Sequence, residues 1–156
     1  MTIALTLAVC FPQQELIEWC KIVPFKTTRA EIEKAWGPPT SGTGYVLTYD
    51  TPDARITIWY GGVKPRDNSP CKWVLPEDAV LSFVFVPRKK PPLTEAKIDL
   101  KKFKKEKALE MVDDFYYYNS TEGLTLTTRI IDGEEVLLSI ERNPDQTLRQ
   151  KYCRDQ

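Results

Sequence analysis

The 156-residue chain contains no histidine. That absence removes Ser-His-Asp and Cys-His catalysis, histidine-ligated zinc and the usual general base near neutral pH. The four cysteines, Cys10, Cys20, Cys71 and Cys153, form no C-x-x-C pair, so zinc-finger and thioredoxin readings have no support. No P-loop, G-x-S-x-G, H-E-x-x-H or dinucleotide glycine motif occurs. Net charge is also missing: 22 basic residues balance 22 acidic ones, which argues against a chain devoted to nucleic acid. No apolar run is long enough for a transmembrane helix. Neither a cofactor nor a metal site is expected. The carboxylate pairs Asp113–Asp114, Glu77–Asp78 and Asp50/Asp53 are the remaining acid–base candidates. Neighbours on a strand point to opposite faces, and the others sit at turns where Asp is common. No residue is therefore assigned a catalytic role.

What is present points to a strand-rich domain. One domain is the default at this length, and such a chain buries about 70% of its unfolded surface without metals or dense disulfides. Twelve prolines punctuate many β-branched and aromatic segments. Residues 3–11 are continuously apolar except for Thr6; with Ala8 and Cys10 as small residues before a cut, residues 1–11 fit a secretory signal segment. The other reading of 3–11 is a buried first strand, which would make the protein cytoplasmic. Pro12 to Lys21 suits a short helix with Leu16, Trp19, Cys20 and Val23 inward.

Thr28 and Glu31 have capping-box spacing. Ile32, Ala35 and Trp36 follow on one helical face, and Gly37-Pro38-Pro39 ends the helix. Ser41 to Gly44 reads as a flexible loop, and Tyr45, Leu47 and Tyr49 alternate along a strand. A helix bearing Thr28 and Ile32, then Gly37, Pro39 and an aromatic strand with Tyr49, resembles the SmpA/OmlA family of small outer-membrane lipoproteins and the wider β-lactamase-inhibitor-like fold. The loop before the helix differs: Pro24, Phe25 and Lys26 stand where that family has a glycine turn. The resemblance implies a helix pair on an antiparallel sheet and a non-enzymatic role in the bacterial envelope, as an assembly factor or protein binder.

Further strands are expected at Arg55–Tyr60, Val80–Val86, Phe115–Tyr118, Leu124–Ile130 and Val136–Ile140. Residues 63–79 form a long loop, Asp132-Gly133 a hairpin turn, and the residues after Pro144 a loose polar tail. The fold class is α+β in two layers, with short N-terminal helices packed on an antiparallel sheet of about six strands. Residues 12–156 make a single domain, possessing two degenerate halves (12–87 and 93–143) or one extended sheet. Arg88 to Glu110 carries nine Lys or Arg against four acids, and periodicity leaves 96–107 open between strand and helix.

Three features carry candidate function. A Cys71–Cys153 bridge would restrain two segments in an oxidising compartment, leaving Cys20 buried or paired instead. Lys101, Lys102, Lys104, Lys105 and Lys107 form a candidate surface for anionic lipid or polyanion; a solvated connector is the plainer account of such a run. Trp59, Tyr116 and Tyr118 are candidate interaction aromatics; ordinary packing under a second layer is the plainer account of such rings. Together these describe a non-enzymatic secreted or periplasmic protein that acts by contact with another protein or an envelope component. The alternatives are a carboxylate-dependent hydrolase and an anionic-surface binder.

Overall fold

Thr28 builds the cap that its spacing predicts. Its hydroxyl accepts from the Glu31 amide at 3.4 Å, and its own amide donates to the Glu31 carboxylate at 2.8 Å. Helix α2 then runs Arg29–Trp36 and stops at Gly37, whose φ is +83°. Ile32 is buried and Trp36 packs against the same core, whereas Ala35 faces solvent. The fold is taken from a computed structural model, which describes residues 18–62, 72–109 and 111–154. The signal-like segment 1–11, the first part of the N-terminal helix, Cys10 and Cys71 lie outside the described residues. The described part of that helix, α1, is Glu18–Lys21, and it seats Trp19 and the following Ile22 in the core.

The sheet has eight antiparallel strands rather than about six. In chain order they are β1 (Ser41–Thr43), β2 (Val46–Asp50), β3 (Ala54–Tyr60), β5 (Val80–Pro87), β6 (Lys104–Lys107), β7 (Asp114–Asn119), β8 (Leu124–Ile131) and β9 (Glu134–Arg142). A separate ribbon pairs β4 (Lys72–Trp73) with β10 (Cys153–Arg154). The two strands beyond those six are the edges of the main sheet: β1, where a flexible loop is expected, and β6, inside the stretch 96–107 that periodicity leaves open between strand and helix. Their residues are all exposed, so neither carries the apolar alternation that marks a half-buried strand. Residues 96–107 are neither one helix nor one strand: a 3-10 turn at Leu100–Lys102 precedes β6.

Spatial order is β1-β2-β3-β5-β9-β8-β7-β6. Each half starts at an outer edge and steps inward, and the inner strands join where Phe83, Val84 and Phe85 face Arg142, Glu141 and Ile140. One core runs through both halves. Paired residues share a face, so Tyr49, Ile56, Phe85, Ile140, Leu126, Tyr117 and Lys105 form one row across the covered side. Over the first half lie α1 and α2. Over the second lies an irregular segment whose Leu93, Ala96, Ile98, Leu100 and Phe103 reach the same core. A register shift at Thr127/Thr128 makes Leu137, rather than Leu138, fully buried alongside Ile140 on β9.

The polar tail is ordered, contrary to expectation. Asp145 caps helix α3 (Gln146–Tyr152) by accepting from the Leu148 amide at 2.8 Å. Tyr152 stacks on Phe25, and Trp73 meets that ring in an edge contact. Phe25 itself has φ +67°, the conformation glycine would adopt freely. Those two aromatic contacts oppose the strain. Cys153 is disulfide-bonded, and so is Cys20, so Cys20 is not a leftover thiol. Among the described residues no helix is long and apolar enough to cross a membrane.

Candidate functional site: the open face of the sheet

Alternation along each strand gives the sheet a second face, over most of which the described residues lay no second layer; α3 borders it at Tyr118 and Thr125. One continuous row across it reads Thr48, Thr57, Val84, Glu141, Thr125, Tyr118 and Lys104, each paired to the next. Beside it run Ser139, Thr127, Tyr116 and Glu106. At the other end Val46, Trp59 and Ser82 face one another. The inner residues of these rows are half-buried, and Tyr118 is 38% exposed. The face is therefore rich in hydroxyls and small β-branched side chains, with aromatics toward its margins.

All three candidate aromatics lie here. Trp59 on β3 and Tyr116 on β7 are four strands apart, about 19 Å at ordinary strand spacing. Tyr116 and Tyr118 are two residues apart on β7, with ring centroids 6.0 Å apart. The tyrosine between them, Tyr117, points into the core. The triplet thus divides between the two faces, one ring in and two out.

Two aspartates, held in three ion pairs, mark the rim of this face. Asp50 accepts from Arg55 at 3.0 Å, from Arg88 at 2.9 Å and from Thr40 at 3.1 Å. The Arg55 hydrogen bond leads the effects that hold its carboxyl below the usual range. Asp114 takes a two-pronged contact from Arg129, at 2.6 and 2.9 Å, and that bond likewise lowers its pKa. Glu77 accepts from the Tyr45 hydroxyl at 2.8 Å. The carboxylates named from sequence are thus spread over separate positions, engaged by different partners.

The lysines do not form one stripe. Lys102 reaches Glu122 at 3.6 Å, Lys104 reaches Glu106 at 2.7 Å, and Lys105 reaches Glu135 at 2.9 Å. Lys104 lies on the open face, while Lys105 and Lys107 lie on the covered one. Lys101 is exposed on the 3-10 turn. Arg88, at the head of the basic stretch, sits by Asp50 toward the opposite edge of the sheet. The candidate bridge partner Cys71 lies outside the described residues; β4, which starts one residue later, pairs with the strand that contains Cys153.

Sequence reasoning missed a polar group beneath the second half. Glu135 accepts from Thr128 at 2.6 Å, from Tyr117 at 3.0 Å and from Lys105 at 2.9 Å. Burial opposes its charge, but these three donors outweigh burial and lower its pKa. The Lys105 ammonium lies 4.1 Å from the Phe115 ring centroid and 5.0 Å from that of Tyr117. Burial of Tyr117 is the main reason its hydroxyl titrates higher than usual. The four polar groups satisfy one another, so the cluster seals the sheet edge. The only sequence signal for it was the inward parity of Lys105 opposite Tyr117.

No family model, curated protein or solved structure matches this chain.

Proposed function

We propose that this is an exported, non-enzymatic binding protein that takes a protein partner on the open face of its sheet. The observation that carries the reading is the uncovered row from Thr48 to Lys104, flanked by Trp59, Tyr116 and Tyr118. A face of half-exposed Thr, Ser and Val offers a low-entropy platform, because β-branched side chains lose few rotamers on contact. Tyr and Trp supply the large contacts that dominate interface energies. The disulfide-bonded state of Cys20 and Cys153 supports an oxidising compartment. The resemblance to SmpA/OmlA lipoproteins favours an envelope component as the partner.

The test is a photo-crosslinking residue placed in the producing cell, at Thr127 on the open face or at Lys34 on the exposed side of α2. A discrete protein adduct is expected from Thr127 and not from Lys34. The adduct should disappear in the Trp59→Ala/Tyr116→Ala double variant. No adduct from Thr127, or equal adducts from both positions, overturns the reading.

A further inference from the structure

Where β7, β8 and β9 approach α3, a cleft of about 360 Å³ opens between strand ends and helix. Its size suits a small ligand rather than a single water. Gly123 holds one wall in place. Its φ is +66°, and a side chain there would strike the Asn143 carbonyl oxygen, so the β7–β8 turn sits close against the end of β9.

The chemistry of the lining is one-sided. Asn119 is 95% buried, at 5% relative exposure. Its carboxamide oxygen accepts from the Glu122 amide at 3.2 Å. Asn119 lines the cleft, and its Nδ2 has no acceptor among the described residues; no buried side-chain donor among them is unsatisfied, so this nitrogen is open to solvent. Arg149 donates through Nε to the Pro144 carbonyl at 3.2 Å, which leaves both terminal nitrogens unpaired among the described residues. No Asp or Glu lines the cleft. The nearest carboxylates in sequence are engaged: Glu122 by Lys102, Glu141 by Asn143, and Asp145 at the α3 cap.

Around these donors stand the Thr125 and Ser120 hydroxyls and the Gln146 carboxamide, none bonded to another described side chain. Tyr118 supplies an aromatic ring. One unopposed guanidinium, several hydroxyl and amide partners and a ring face together select a ligand. It must carry a single planar negative group, many hydroxyls and an apolar ring side.

We propose that this cleft binds a carboxylated sugar of the uronic-acid class, with the carboxylate on Arg149 and a ring hydroxyl on the Asn119 amide. Arg matches a carboxylate in a two-pronged geometry. A phosphate ester would bring a second negative charge for which the lining has no second cation. Tyr118 and Thr125 belong also to the open face, but Asn119 and Arg149 do not, so variants at these two test the cleft apart from the protein-binding face, which is tested at Trp59, Tyr116 and Thr127.

The experiment is an NMR titration of the full chain with glucuronate, glucose and glucose 6-phosphate, each to about 10 mM, the range where small-ligand affinities begin. Saturable shifts at Asn119 and Thr125 are expected with glucuronate, with glucose and the phosphate at least about tenfold weaker, since a charged hydrogen bond is worth a factor of that order. Arg149→Met should weaken glucuronate by about tenfold or more. Asn119→Asp, which keeps the acceptor for Glu122 and replaces the donor by a like charge, should weaken it comparably. Retained amide dispersion shows that each variant is folded. Absence of saturable glucuronate binding overturns the proposal. So does binding unchanged in folded Arg149→Met, or a phosphate or neutral sugar that binds as tightly.

Discussion

The two halves of the sheet share a topology and close their inner faces differently. In the first, a capped helix lays Ile32 and Trp36 over Leu47, Tyr49 and Ile58. Among the described residues, the buried side-chain hydrogen bond there is neutral, between the Tyr49 and Tyr60 hydroxyls at 2.9 Å. In the second half an irregular segment provides the cover, and the edge is sealed by the charged group of Glu135, Lys105, Tyr117 and Thr128. A helix offers a dense apolar stripe. The segment 93–103 offers scattered apolar contacts, and the strand it leads into, β6, is Lys-rich. Lysine can close an inner edge only if its stem packs and its ammonium finds a carboxylate. Lys105 does both.

The largest contrast is expected from trimming the two covers. Ile32 is 3% exposed, and Ile32→Ala should cost about 2–5 kcal/mol, the range for a fully buried aliphatic truncation. Leu100 is only half-buried, and Leu100→Ala should cost roughly 1 kcal/mol. Urea denaturation of the two variants measures both. Equal losses would break the distinction between a tightly packed helical cover and a looser one.

Acid and alkali should sharpen the same contrast. The folded pKa of Glu135 is lowered. Its contribution is therefore present above the unfolded value, about 4.3, and is lost as pH falls through the folded value. Tyr60 moves the other way: burial, then the Tyr49 hydrogen bond, raises its pKa strongly. Its contribution is present below the unfolded value, about 10, and is lost as pH rises beyond it. Glu135→Gln should cost about 1–3 kcal/mol at neutral pH and flatten the acid side of the stability profile. Tyr60→Phe should cost about 1 kcal/mol and flatten the alkaline side. Urea midpoints collected across the pH range decide it; two variants that flatten the same side contradict the assignment of a charged seal to one half and a neutral one to the other.

The same contrast explains what sequence could reveal. The capping box of α2 and the alternating strands β2, β3, β5, β7 and β8 were legible because side-chain pattern and local geometry coincide there. Parity also separates Tyr116 and Tyr118 from Tyr117; which set faces the core is set by the cover over the sheet, and burial of Tyr117 shows it. The edge strands were not legible: Ser41–Thr43 and Lys104–Lys107 are exposed on every residue and owe their conformation to backbone pairing with a neighbour. The fold of the tail rested on Asp145 as a cap and on Phe25, far away in sequence, as a stacking partner. The cleft draws on the ends of three strands and a helix, and no local spacing announces such a convergence. Asn119 and Asn143 each look like ordinary turn residues on their own.

The smallest predicted effect isolates the cap from the packing it supports. Thr28 contributes a hydroxyl at the start of α2 but no fully buried side chain, being half-exposed beside Glu31. Thr28→Ala should therefore cost about 1 kcal/mol. Thr28→Ser keeps the acceptor and should cost less. Because α2 has eight residues, it is too short to persist without its partners, so its cap and its Ile32 contact act on one cooperative element. The Thr28→Ala/Ile32→Ala double variant should then lose less than the sum of the single losses, measured by urea midpoint, since a helix already loosened at Ile32 gains less from its cap. Strict additivity would mean that α2 stays docked without Ile32. The first half would then depend on its strands for cover as much as the second half does.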